Sequence, residues 1–175
     1  MILVNKIKKF FNSPKPLIIF LIIMQMVSIL IIYKMETSSK IYISGVKDDN
    51  ISISTIHAFI NNDMHMFYST PASYNKDDYK IYGISAGYYI KDKDNYIEFL
   101  TQSEDFENPE SLSKTLDFYS AFNYIESNNK KEKFSKKVKD NFEDNLYFIV
   151  KVKKDKDSSF ETISESKVEM RKITK

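Results

Sequence analysis

The sequence predicts a membrane-anchored α+β protein. One N-terminal transmembrane helix precedes a small extracytoplasmic domain with an antiparallel sheet and one to three helices on one face. Three observations lead there. Residues 17–33 form an unbroken apolar run. Beyond residue 40, β-branched and aromatic stretches alternate with polar residues at period two. Two segments, 112–125 and 130–143, instead space their apolar residues at helical intervals.

The run LIIFLIIMQMVSILIIY carries no charge, glycine or proline. As a helix it covers about 25 Å against a hydrocarbon core of about 30 Å. Pro16 suits the first helical turn, and Lys15 and Lys34 can reach outward to cover the difference. A buried soluble helix needs one polar face, and only Gln25 and Ser28 interrupt this one. A cleaved signal peptide needs a shorter apolar region and small residues after it; KMETSSK is a poor match. An uncleaved span over 16–34 is therefore expected, with Leu17, Ile18, Phe20, Ile23, Ile29 and Tyr33 as its anchor and the lipid bilayer as its first partner. Gln25 and Ser28 bond within their own helix or across to a partner helix.

Charge sets the direction. Residues 1–34 carry five lysines and no acid, whereas 35–175 carry 21 bases and 24 acids. Positive charge before the span places residues 1–15, a basic amphipathic leader, in the cytoplasm and residues 35–175 outside. Leu3, Val4, Ile7, Phe10 and Phe11 share one face of that leader, which suits an in-plane helix or a simple topology signal. The folded part lacks the basic excess that nucleic acid demands, so no nucleic-acid partner is expected.

The outer domain, at 42% apolar residues for the whole chain, can build a core. KIYISGVKDDNISISTI at 40–56 reads as a hairpin, with Ile41 and Ile43 alternating with Tyr42 and Ser44. Residues 56–67 place Ile56, Phe59, Ile60, Met64 and Phe67 near helical spacing, although Asn61-Asn62-Asp63 also suits a hairpin turn. A loop is expected at 71–78, a strand at 79–90, a turn at 91–95 and a paired strand at 96–100. SEDFENPE then reads as an acidic loop, with a helix opening at Pro109 and carrying the stripe Leu112, Leu116, Tyr119, Phe122 and Ile125. A second helix is expected over 130–143, and two neighbouring antiparallel strands end the chain.

Candidate chemistry is sparse. GISAG at 83–87 matches the turn that presents a nucleophilic serine. That turn needs a helix after the serine and a later histidine. Here a strand follows, and His57 and His65 both precede Ser85, so Ser85 is expected to be a strand residue. His57 and His65 are eight apart, which is not a ligand-pair spacing, so no metal is expected. Without cysteine, disulfides, thiolate zinc sites and cysteine nucleophiles are excluded. No phosphate-cradling or cofactor motif appears, so no cofactor is expected. KKEKFSKKVK concentrates Lys130, Lys131, Lys133, Lys136, Lys137 and Lys139. It reads as a solvated face or a patch for an anionic surface, or as a match for the acidic 104–110 segment. The tyrosines read as strand residues, with a sugar- or protein-recognition face as the alternative.

A short leader, one span and a compact outer domain is similar in outline to bitopic components of secretion or conjugation machines. That layout implies a non-enzymatic binding or assembly protein with a protein partner in the membrane or envelope. Two rivals remain: a tethered hydrolase using carboxylates such as Asp63, Asp117 or Glu98, and an immunity or exclusion factor.

Overall fold

The computed structural model describes residues 14–61, 64–127 and 135–173, leaving aside the side chains of 14–17, 34–38 and 136–137. Helix α1 is Pro14–Ser38, 25 residues, and exceeds the apolar run at both ends. Its described side chains, 18–33, are exposed all round, from Val27 at 44% to Leu30 and Tyr33 at 65%. Ser28 donates to the Met24 carbonyl one turn back at 2.8 Å, so its hydroxyl is satisfied within the helix. Among the described residues no helix is long and apolar enough to cross a membrane. Residues 18–33, which hold all of the apolar run except Leu17, reach about 24 Å of the ~30 Å hydrocarbon core.

The second compact unit, Lys40–Lys175, is a two-sheet α+β domain. The single sheet expected from sequence is corrected: every pairing is antiparallel, but the strands divide between two layers. Sheet A orders β10 (Arg171–Ile173), β1 (Lys40–Lys47), β2 (Ile51–Ile60), β3 (Met64–Ser69) and β7 (Phe122–Ser127), with β4 (Ala72–Tyr74) also on β2. Sheet B orders β6 (Asn95–Ser111), β5 (Lys80–Asp92), β8 (Leu146–Lys153) and β9 (Glu161–Lys167). Helices α2 (Leu112–Tyr119) and α3 (Lys136–Asn141) complete the domain.

Aromatic rings from both sheets interlock between the layers. Phe67 of sheet A lies 4.7 Å from Tyr88 and 5.4 Å from Phe99 of sheet B, both edge-on. Tyr88 also meets Phe148 at 4.9 Å and Phe122 at 5.4 Å. Phe142, just past α3, closes the cluster against Tyr42 and Phe67.

Several expectations change for local reasons. Residues 56–60 and 64–67 belong to two strands, with Ile56, Ala58 and Ile60 alternating inward while His57 and Phe59 turn outward. Asn61 makes the turn: its amide donates to the Met64 carbonyl at 3.1 Å, and its side-chain oxygen accepts from the Met64 amide at 2.6 Å. The acidic loop is strand, because residues 103–105 and 110–111 pair with β5. Pro109 falls in the irregular stretch between those pairings, where a missing donor costs nothing. The predicted helix at Pro109 opens at Leu112 instead, with the Ser111 hydroxyl accepting from the Lys114 amide. It stops at Tyr119, so Phe122 and Ile125 of the apolar stripe belong to a strand. Buried Ser120 ends the helix: its amide donates to the Leu116 carbonyl at 3.0 Å, and its hydroxyl accepts from the Ala72 amide at 2.7 Å. The loop expected at 71–78 contains β4; of the second helix expected over 130–143, residues 136–141 are helical and 130–134 lie outside the described residues.

Candidate functional site

The hydrolase signature dissolves into sheet. Gly83, Ser85 and Gly87 lie on β5 in the middle of sheet B. Ser85 accepts from the Ser103 hydroxyl at 2.7 Å, and its strand runs on to Asp92 with no helix after it. The glycines serve packing. A Cβ on Gly87 would come within 2.4 Å of the Leu100 carbonyl oxygen, at a point where β6 bulges. At Gly83 the absent side chain opens a window through which Lys153 of β8 reaches Asp105 of β6 at 2.6 Å.

The histidines separate. His57 is exposed on the outer face of sheet A, and His65, 3% exposed, points inward, so they cannot share an ion. Among the described residues no group of three His, Asp or Glu is placed to hold a metal. Asp63 lies outside the described residues, as do Lys130, Lys131 and Lys133, while Lys136 and Lys137 open α3 and Lys139 is half-buried. Asp105, from the acidic segment offered as one alternative match for those lysines, pairs with Lys153. Glu98 sits opposite Tyr89 on sheet B, and Asp117 is exposed on α2.

Three of the twelve tyrosines cluster on the outer face of sheet B. Tyr96 packs against Tyr89 and Tyr147. Lys91 lies 5.3 Å from the centres of both the Tyr96 and Tyr147 rings, and Lys151 lies 5.6 Å from Tyr89. The Tyr96 hydroxyl donates to Glu165. Burial, and then that carboxylate, push the Tyr96 phenol up. These rings already stack against the chain's own lysines, which leaves little face for a sugar.

An open groove of about 850 Å³ runs between the β1–β2 turn and the β9–β10 segment, lined among others by Asp48, His57, Glu165, Glu169 and Arg171. Asp48 is its most elaborated group. One oxygen accepts from the Asn50 and Ile51 amides at 2.7 and 2.6 Å, the other from the Ser164 and Ser166 hydroxyls. Burial is the largest influence and pushes its carboxyl up, but the four hydrogen bonds together outweigh it and hold it below the usual range. A carboxylate saturated this way clips sheet A to sheet B. It is spent on structure and is a poor base.

A second clip joins β1 to the segment after α3. Tyr42 donates to Glu143, and Lys40 approaches the same carboxylate at 3.5 Å. The Tyr42 bond first, then Lys40 and Lys172, hold the Glu143 carboxyl down against the effect of burial. The same carboxylate, added to burial, raises the Tyr42 phenol.

What stands out is the outer face of sheet A. Ile173, Ile41, Phe59, Met66 and Ile125 are directly opposite one another across five successive strands. Opposed residues in antiparallel strands point to the same side, so they form one apolar row. Four strand spacings make it about 19 Å long. The next row reads Arg171, Ile43, His57, Tyr68 and Asn123. Met66 is 36% exposed, Tyr68 46%, Ile173 47% and Ile125 59%. Alternation along β1 leaves open which set faces the core, and isoleucine is the commoner core residue. Instead Tyr42 is inward, where Glu143 satisfies its hydroxyl, and the isoleucines face out. A shift in register between Ser44 and Val46, where β2 carries one extra residue, lets Ile51 and Ile53 join Ile56 in the core.

The chain matches no protein-family model, and comparison with curated proteins and with solved structures found no similar one.

Proposed function

We propose that this chain is a single-pass, membrane-anchored, non-enzymatic envelope protein whose C-terminal domain docks another protein through the outer face of sheet A. The observation that carries the reading is the apolar row Ile173–Ile41–Phe59–Met66–Ile125, exposed except at the half-buried Phe59. Solvent-facing strand positions are ordinarily polar, and a contiguous apolar face marks a docking surface. Its composition fits: aliphatic, methionine and aromatic side chains, with charge confined to the margin.

The anchor is supported by α1, whose described side chains are apolar and exposed all round apart from Gln25 and Ser28. Such a helix is stable when lipid covers every side. Ile18, Phe20, Ile23 and Ile29 then face acyl chains, Leu17 and Tyr33 approach the two interfaces, and the basic leader stays cytoplasmic. A tether raises local concentration, so a modest docking face suffices.

Alkaline extraction of membranes tests the anchor. The full chain stays in the pellet, and Ile23→Lys with Ile29→Lys releases a large share of it. A phosphatase reporter at Lys175 is active only outside the cytoplasm. Release of the unaltered chain into the supernatant, or a reporter active only in the cytosol, refutes the reading.

A further inference from the structure

We infer that the occupant of the sheet A face is a second copy of this chain, packed face to face about a two-fold axis parallel to the strands. The inference rests on the docking reading above and names its partner.

Area is the first argument. Six apolar side chains of the face are 36–59% exposed, and Phe59 between them is half-buried. At roughly 200 Å² per free side chain that leaves about 600 Å², the top of the range that monomers expose. Two such faces bury about 1,200 Å² together, the lower bound for a specific, stable interface. A groove partner that covered only part of the row would fall below that bound.

Charge is the second. A two-fold interface sets a patch against itself, so a charge near its centre would meet its own copy. The two rows hold one permanent charge, Arg171, and it lies at an end. An axis parallel to the strands reverses each row. Arg171 then meets Asn123, an amide that accepts its hydrogen bond, and not a second guanidinium. By the same reversal Ile173 meets Ile125, Ile41 meets Met66, and Phe59 meets Phe59. The central contact is thus aromatic on both sides, with aliphatic contacts flanking it, an arrangement of dry core and polar ends typical of specific interfaces.

The chain has no cysteine, so single thiols report without background. The full chain is kept in its native membrane and treated with a short bis-maleimide. Phe59→Cys gives an adduct of twice the chain mass. Co-expressed Ile41→Cys and Met66→Cys chains cross-link at least fivefold more than either alone. Thr162→Cys, exposed on β9 of the other sheet, gives none. Adding Ile125→Lys cuts the Phe59→Cys yield tenfold or more while the unfolding temperature stays within 2 °C, the behaviour of a surface substitution. Loss of yield with a lowered unfolding temperature would mark a folding defect, and the exposed Met66→Lys then replaces it with the same expectation. Absence of a double-mass adduct from every sheet A position overturns the inference, as does an equal yield from Thr162→Cys. An adduct of another mass overturns the second copy but keeps the docking face. Failure of the anchor shows separately, as chain missing from the membrane pellet.

Discussion

Met66 and Phe67 are successive residues of β3, both apolar, and their surroundings differ completely. Phe67 is 1% exposed and packs on rings from sheet B and from the segment after α3. Met66 is 36% exposed and has solvent over it. The same contrast holds along β1, where Tyr42 is inside and Ile41 and Ile43 are outside. Hydrophobicity therefore does not choose the face in sheet A. Partners do: Tyr42 and Phe67 are inside because their rings pack on other rings, of sheet B and of the segment after α3, whereas Ile41, Ile43 and Met66 face away from that cluster.

That contrast breaks most visibly at the core. Phe67→Ala removes the ring at the centre of the aromatic cluster and should cost about 3–5 kcal/mol, measured by chemical denaturation. A loss below about 1 kcal/mol would mean that the two sheets are not packed through this residue.

A smaller effect is expected at the clip between the layers. Asp48→Ala strands the Ser164 and Ser166 hydroxyls and two turn amides, and should cost about 2–3 kcal/mol at neutral pH. The sign of its pH dependence follows from linkage. The folded carboxyl titrates below its unfolded value of about 3.9, so its contribution is full above that pH and is lost as pH falls through the folded value. Stability curves of the unaltered and Asp48→Ala chains should converge below about pH 4. Curves that stay parallel there would show that the charge contributes nothing.

At the outer face the expected change in stability is the smallest. Met66→Ser should shift it by no more than about 0.5 kcal/mol in dispersed, detergent-solubilised chain. A core-sized loss would mean that the face is internal to the fold and not a docking surface.

Much of the strand pattern was legible beforehand. The β1–β2 hairpin, the long strand from residue 80, its turn at Lys93-Asp94 and the β8–β9 pair all follow from period-two alternation bounded by turn residues. The division into two sheets was not, because alternation says that one face is buried without saying against what. The stripe Leu112–Leu116–Tyr119–Phe122–Ile125 misled for a related reason. Its helical spacing continues by accident across Ser120, and the stop depends on Ala72, far away in sequence, donating to that serine. The candidate docking face was hidden most deeply. It arises from register between five strands, and each strand contributes only one or two ordinary apolar residues to it.

Gly83 carries one more consequence. In most sheets a strand senses only its immediate neighbours, because the middle side chain screens the two beyond it. Here the central strand is transparent at one position, and an acid on β6 and a base on β8 are read against each other across it. The order β6-β5-β8 thus has a checksum built into it: a strand inserted out of sequence, or slipped by one residue, would leave Lys153 and Asp105 on different sides of an opaque rung.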